Sequence, residues 1–119
     1  MKKIICLVIT FFVISAIGVE AKNYYVAPTG NDTTGTGTID NPYRTIMKAH
    51  QSVVAGDTVF LRGGTYKMTE LQIYLKSSIW AYMNYLDKSG TSATKRICYW
   101  AYPGEKPIID MSAVKPTGY

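Results

Sequence analysis

Short apolar runs separated by turn residues make up most of the chain after residue 22. The run Thr58–Arg62, TVFLR, is β-branched and apolar, and two glycines follow it at once. The runs Asn23–Pro28, Arg96–Tyr102 and Pro107–Met111 have the same character. Apolar, β-branched runs of this length, bounded by glycine, proline and other turn residues, predict short β-strands.

One segment, Pro42–Asp57, has helical rather than β periodicity. Its apolar face carries Ile46, Ala49, His50 and Val53. Pro42 suits the first turn of a helix, Asn41 or Thr45 can serve as the N-cap, and Gly56 can end the helix. We therefore predict a single amphipathic helix here.

Two further runs are harder to assign, because periodicity alone does not separate a short strand from a buried helix. Leu71–Leu75, LQIYL, is predicted to be a strand. Ile79–Leu86, IWAYMNYL, is apolar and aromatic, and the Ser-Gly-Thr-Ser turn that follows it favours a strand.

The segments 58–66 and 96–109 share one plan, in which a strand, a tight turn and a short strand follow one another. Strands joined by corners, without hairpin-type Asn-Gly turns, indicate the coils of a parallel solenoid, although a small β-sandwich remains open at this point. The helix then has a function, because it can cover the apolar end of the first coil.

Side-chain alternation along Arg96–Tyr102 divides the strand between the two faces of such a coil. We place Ile97, Tyr99 and Ala101 inside, and Cys98, Trp100 and Tyr102 outside. Gly63, Gly64 and Gly104 stand where corners need backbone angles that other residues resist.

The first 21 residues are predicted to be a secretory signal peptide. Lys2 and Lys3 precede the apolar run Ile4–Ile17, and Val19–Ala21 resembles a cleavage site after Ala21. The alternative, a membrane anchor, is disfavoured because the apolar run is short. We expect export to the periplasm, cell surface or medium of a bacterium, with no stable membrane span after cleavage.

Cleavage leaves residues 22–119 and lowers the formal charge from +5 to about +4, because two lysines and one glutamate are removed. This excess suits a polyanionic partner, but no Lys/Arg run indicates nucleic-acid binding. Only Cys98 remains after cleavage, which excludes an internal disulfide and a cysteine metal site. We predict a buried, inert thiol.

Few residues stand out as candidates for chemistry. His50, the only histidine, is interpreted as part of the packed helix face rather than as a base, since no carboxylate is near it in sequence. Asp32 and Asp40 lie in a polar loop without EF-hand spacing, which favours turn chemistry over calcium binding. Three residues that flank strands are interpreted as corner or surface pairs: Asp57, Arg62 and Asp110.

Four segments in order carry a resemblance to a known family: YYVAPTGND from Tyr24, NPYRTIMKA from Asn41, GDTVFLRGGTY from Gly56, and SGTSATKRICYWAYPGEKPIID from Ser89. The series resembles the N-terminal region of right-handed parallel β-helix proteins, most closely the family 9 polysaccharide lyases. GDTVFLRGGTY is shared with other β-helix proteins, including chondroitin and alginate lyases, whereas the last segment is more specific. The resemblance runs from Tyr24 to Ser112.

This resemblance implies an all-β fold for residues 22–119: the first coils of a right-handed parallel β-helix with a short N-terminal capping α-helix, in a domain that we expect to be truncated. It also implies exported enzymes that cleave pectate or rhamnogalacturonan by β-elimination. In the family, calcium held by aspartates neutralises the uronate carboxylate and a lysine removes the C5 proton.

The family's catalytic site lies on later coils, and no acidic residue of this chain matches its calcium or base motif. The acidic residues of 22–119 are Asp32, Asp40, Asp57, Glu70, Asp87, Glu105 and Asp110, and none are adjacent. We therefore assign no catalytic, cofactor-binding or metal residue, and we expect calcium only in the longer family proteins. We expect residues 22–119 alone to be marginally stable or self-associating.

Three functions remain open for the chain. It is the N-terminal part of a pectic lyase, or of another β-helix enzyme on acidic glycans, or a non-catalytic module that binds glycans or has a structural role. The second class includes chondroitinase-like and alginate-lyase-like enzymes and glycoside hydrolases. An Asp-Asp pair with a lysine on later coils favours the first, and paired carboxylates at hydrolase separation favour a glycosidase.

Overall fold

The computed structural model of the protein describes residues 18–77 and 80–115, so residues 1–17 of the predicted signal peptide lie outside the described residues. Within the two described ranges most of the regular elements are strands, with one α-helix. The elements are β1 Asn23–Val26, α1 Ile46–Ser52, β2 Thr58–Leu61, β3 Gly64–Lys67, β4 Leu75–Lys76, β5 Ala81–Tyr82, β6 Cys98–Ala101 and β7 Pro107–Asp110, with a 3-10 helix at Glu70–Gln72.

The strands stack in parallel, one coil above the next. β1, β2 and β6 form one sheet in that order, and β3 pairs with β7 in a second. Tyr24, Val59 and Tyr99 occupy the same register position in three successive strands. Parallel pairing between strands about forty residues apart requires crossover connections, as coils provide. The predicted parallel coils are confirmed, and a sandwich of antiparallel strands is excluded.

The core lies between these strands and the helix. Val59 is fully buried, and Tyr24 and Tyr66 lie with it in the same cluster. Ile97 and Tyr99 pack against this cluster, as predicted from the alternation. Two other predictions for this strand are wrong, namely that Ala101 lies inside the coil and that the Cys98 thiol is buried.

Ala101 is exposed and Cys98 is half-buried, although both were predicted to be buried. β6 is the edge strand of its sheet within the described residues, so no further coil covers Ala101. Cys98 pairs in register with Thr58, which puts its thiol on the opposite face of the sheet from Val59.

The helix covers the core as predicted but begins later than Pro42. Thr45 is the N-cap, and its hydroxyl accepts a hydrogen bond from the Lys48 N–H at 3.2 Å. Tyr43 instead adds to the sheet beside Val26, with its N–H donating to the Tyr25 carbonyl. This parallel bridge uses the backbone groups that an earlier helix start would need.

The buried face of α1 is the predicted one. Ile46 is 6% exposed, and Ala49 and Val53 are fully buried. The chain leaves the helix at Val53 and turns at Gly56, whose φ of 102° favours glycine. The prediction that a short helix covers the end of the first coil is therefore confirmed.

The corner between β2 and β3 uses its two glycines differently. Gly64 has a φ of 118°, in the region that favours glycine, whereas Gly63 does not have a positive φ. The prediction that Gly63 needs a backbone angle that other residues resist was therefore wrong. Its N–H instead donates to the Glu105 carboxylate at 2.6 Å, which holds the corner. Gly104 has a φ of 77° at the equivalent corner of the next coil, as predicted.

The two uncertain runs form an insertion between β3 and β6, and neither is a full strand. Leu71–Leu75 was predicted to be a strand, but its start belongs to a 3-10 helix whose N-cap, Thr69, donates its backbone N–H to Gln72 Oε1 at 2.8 Å. Ile79 of the run Ile79–Leu86 lies outside the described residues, and within 80–86 only Ala81–Tyr82 is strand, which pairs antiparallel with Leu75–Lys76. Both predictions fail because these apolar residues pack as a cluster of rings instead of joining a coil.

Candidate functional site

The outer face of the three-stranded sheet carries an aromatic ladder, which consists of Tyr25, Phe60, Trp100 and Tyr102. The Tyr25 and Phe60 rings stack with centroids 5.7 Å apart, and Tyr102 meets Phe60 edge-on at 5.9 Å. Trp100 lies in register with Phe60 on β6 and is 60% exposed. Parallel stacking places outward residues of successive coils in one row, which creates an apolar surface of ring faces and edges on the outside of the sheet.

An ion pair lies at the end of this ladder. Arg62 donates to both carboxylate oxygens of Glu105, at 2.7 and 2.8 Å for the shorter contacts, and its guanidinium carbon lies 4.7 Å from the Tyr102 ring centroid. The hydrogen bonds from Arg62 and from the Gly63 N–H lower the pKa of Glu105 to about 2. Arg62 therefore belongs to an ion pair at a corner, as interpreted from the sequence, and the Glu105 carboxylate neutralises its charge.

The Arg62–Glu105 pair makes the stability of this corner depend on pH. Because the folded-state pKa of Glu105 is about 2, below its ordinary 4.5, the contribution is present above about pH 4.5 and is lost as the pH falls toward 2. We expect Glu105→Gln to lower the melting temperature near neutral pH but to match the wild type near pH 2.

Thermal melts followed by circular dichroism over this pH range measure the difference. Asp40→Asn, at an exposed position in the loop before α1, is the control and should follow the wild type throughout. A melting-temperature gap for Glu105→Gln that stays constant down to pH 2 would contradict the expected linkage.

His50 is buried, with 3% of its surface exposed, and contacts two partners that the sequence did not suggest. Its Nδ1 lies 2.6 Å from the Tyr99 hydroxyl and its Nε2 lies 2.8 Å from Asp87 Oδ1. Nε2 also lies 3.2 Å from the Asp87 N–H, so both the backbone and the side chain of Asp87 contact this nitrogen. The imidazole therefore joins the helix, β6 and the insertion.

The pKa values of both partners of His50 are shifted, for different reasons. Hydrogen bonding with His50 lowers the pKa of Asp87, and burial raises the pKa of Tyr99 to about 12. The carboxylate missing from the neighbourhood of His50 in sequence comes from Asp87, 37 residues away. No local signal could have indicated this pairing.

The remaining charged candidates hold corners in place. Asp57 is buried and accepts from the Lys22 and Val54 N–H groups, both at 2.9 Å. Asp110 accepts from the Ser112 N–H at 2.9 Å, and hydrogen bonding with Ser112 lowers the pKa of Asp110. These contacts agree with the interpretation of both residues as corner hydrogen bonds.

The described acidic side chains do not fit a calcium site. Calcium takes about six to eight oxygen ligands, which several converging carboxylates supply. Asp32 instead accepts from the Arg44 and Thr45 N–H groups and from the Thr45 hydroxyl. Within residues 18–77 and 80–115, no three acidic, histidine or cysteine side chains lie together as a metal site.

No helix within the described part of the chain is long and apolar enough to cross a membrane.

Comparison with known proteins agrees with the stacked parallel coils. The model of a family described as "Pel9A-like, right handed beta helix region" matches residues 24–119. The chain is 40% identical over 93 residues to "Pectate lyase PEL9" of Emericella nidulans, which covers 77% of the chain and 19% of that protein.

Solved structures give the same picture. A rhamnogalacturonan lyase superposes with a TM-score of 0.74 at 38% identity, over 82% of this chain and 24% of the other. A structure of XylC in complex with xylose superposes with a TM-score of 0.52 at 36% identity, over 71% and 11% of the two chains. The chain thus spans about a fifth to a quarter of the two lyases. With its parallel coils, covering helix and match over residues 24–119, the chain belongs to the Pel9A-like right-handed β-helix family.

Proposed function

We propose that residues 22–119 are the N-terminal cap and first coils of an exported lyase that cleaves uronate-containing glycans by β-elimination. The observation that carries this proposal is the 40% identity to a pectate lyase over 93 residues, with the rhamnogalacturonan lyase superposition in support. The two relatives named as lyases are matched over 77% and 82% of this chain.

β-Elimination makes chemical demands that other parts of a longer protein would meet. The C5 proton beside a uronate carboxylate is weakly acidic, so the carboxylate must be neutralised and a base must stand near the proton. Among the described residues, Asp57, Asp87 and Glu105 hold structural contacts, and His50 is buried. We propose that the calcium ligands and the base lie on coils outside these residues.

The described residues would contribute to the lyase in two ways. Helix α1 covers the end of the first coil and so keeps the stack in register. The outer aromatic ladder offers ring faces to the pyranose rings of a polysaccharide, and Trp100, 60% exposed, is its most accessible member. Neither contribution requires a catalytic group within the ladder.

A second candidate is a β-helix protein that acts on or binds a neutral glycan. The superposition with XylC bound to xylose favours it, although at a lower TM-score of 0.52. A β-helix hydrolase and a non-catalytic module both belong to this candidate, since a parallel β-helix is a scaffold that does not determine chemistry.

The test is to express the gene's entire open reading frame, including any sequence beyond Tyr119, in a bacterium and to assay the exported fraction. We expect calcium-dependent release of unsaturated uronates from polygalacturonate or rhamnogalacturonan, followed by ultraviolet absorbance, and an N-terminus at Lys22 by mass spectrometry. A protein that retains Met1 would contradict export. Hydrolysis of xylan without unsaturated products would favour the second candidate.

A further inference from the structure

A cleft lies between the cap helix and the insertion, away from the outer aromatic ladder. Its volume is about 300 Å³, and its walls are the segments 44–47, 65–68 and 71–74, together with Met83 and Asn84. None of the four ladder residues lines it. The cleft is therefore a separate concave site, of the size that small-molecule and sugar sites commonly have.

The charges around the cleft have one sign. Arg44 and Lys67 line it, and no aspartate or glutamate does. Neither cation forms an ion pair within 4 Å among the described residues, although Asp110, the register partner of Lys67 on β7, is near enough for that lysine to help lower its pKa. Both residues are exposed, so a guanidinium and an ammonium at the wall of one concave site are accessible to an anion.

One wall of the cleft continues into a second group of aromatic rings, which we call the insertion platform and which consists of Tyr74, Trp80, Tyr82 and Tyr85. Tyr74 lines the cleft and stacks on Tyr85 with centroids 5.8 Å apart. Tyr85 lies 5.6 Å from Tyr82, which lies 4.7 Å from Trp80. The platform is thus one connected row of rings that starts inside the cleft.

The side chains of the insertion platform are exposed to solvent, although hydrogen bonds fix the backbone that carries them. Its four side chains are 38–51% exposed. The Tyr74 N–H donates to the Tyr82 carbonyl at 2.8 Å, and the Tyr85 N–H donates to Met47 Sδ at 3.2 Å. Contiguous exposed apolar surface of this kind marks an interaction site.

Two exposed cations beside a row of ring faces are complementary to one ligand chemistry. A uronate residue has a carboxylate that pairs with guanidinium and ammonium groups, and its pyranose ring has a C–H face that packs on aromatic rings. We propose that the cleft and the insertion platform bind a uronate-containing oligosaccharide, with a carboxylate at Arg44 and Lys67 and neighbouring rings over Tyr82 and Trp80. The choice of an acidic glycan rests on the proposed function.

Tryptophan fluorescence can report on binding at this site. It contains two tryptophans, Trp80 and Trp100, so Trp100→Phe leaves Trp80 as the single tryptophan. Titration of this variant with oligogalacturonate should change Trp80 emission, whereas a neutral cello-oligosaccharide of equal length should not. Raising the salt concentration should weaken the response, because part of the attraction is between charges.

Calorimetric titration of variants then locates the ligand. Arg44→Gln and Lys67→Gln should each weaken oligogalacturonate binding by about tenfold or more, since each removes a charge-assisted hydrogen bond. Tyr82→Ala should weaken it as well. Lys95→Gln makes the same charge change at an exposed lysine outside the cleft and should bind as the wild type does. Circular dichroism checks that each variant is folded.

The outcomes separate this inference from the proposed function. Oligogalacturonate binding with unchanged Trp80 emission, and with equal affinity for the Arg44 and Lys67 variants, would show that the cleft is not the binding site. The proposal of an acidic substrate would then be retained. Equal binding of the neutral oligosaccharide, or no binding of either, would overturn the inference. Lyase activity of the longer protein decides the proposed function independently.

Discussion

Replacing Val53 by aspartate is expected to unfold the capped end of the protein. Val53 is fully buried in the core cluster with Ala49 and Val59, beneath the end of helix α1. An aspartate there would lie without a partner among apolar groups. Uncompensated buried charges typically cost about 3–5 kcal/mol, which is comparable with the total stability of many small domains. Denaturant unfolding followed by far-ultraviolet circular dichroism measures the loss.

The neighbouring residue provides a matched control. Val54 is 51% exposed, so Val54→Asp adds the same charge one position along the chain. We expect it to change the free energy of unfolding by no more than about 0.5 kcal/mol. The capping function of the helix would be wrong if Val53→Asp kept wild-type stability, or if both variants lost stability equally.

A protein consisting of residues 22–119 is expected to self-associate and to lack lyase activity. β6 and β7 are edge strands within the described residues, and each leaves backbone hydrogen-bonding groups open along one side. Trp100 is 60% exposed, and Ile108 and Ile109 are each 48% exposed. An apolar open edge is a template for pairing with another chain. Light scattering coupled to size-exclusion chromatography should show a mass that rises with concentration.

Charge placed on the open coil should reverse this association. Ile109 lies in register with the buried Tyr66, so Ile109→Lys puts an inward-pointing charge on the edge coil and should shift the protein toward monomer. Ile39→Lys, at a 40% exposed loop position, is the control and should leave association unchanged. A monomeric wild type at all concentrations would show that these edges do not drive association.

Elements that depend on local chemistry were predictable from the sequence. The runs around Thr58 and Cys98 formed strands because β-branched and aromatic residues alternate there between turn residues. The helix face of Ile46, Ala49 and Val53 was predictable because burial at helical spacing needs only neighbours along the chain.

The insertion was mispredicted because its pattern has more than one physical solution. The runs Leu71–Leu75 and Ile79–Leu86 are largely apolar and aromatic, as a buried strand would be, but the short strands described there, Leu75–Lys76 and Ala81–Tyr82, pair with each other and not with a coil. Their rings pack on one another instead, from Tyr74 to Trp80, and remain partly exposed. Apolar composition alone does not distinguish a platform from a core strand.

The sequence by itself determined the strands of the parallel coils, the covering helix, the corner glycines Gly64 and Gly104, and the resemblance to family 9 lyases. Only the tertiary structure decided which distant residues meet: Arg62 with Glu105, 43 residues away, and His50 with Asp87, 37 residues away. Those distances reflect the length of chain that separates one element from its neighbour in a parallel stack. The register between coils depends on side chains from several elements packing together, and no local pattern records it.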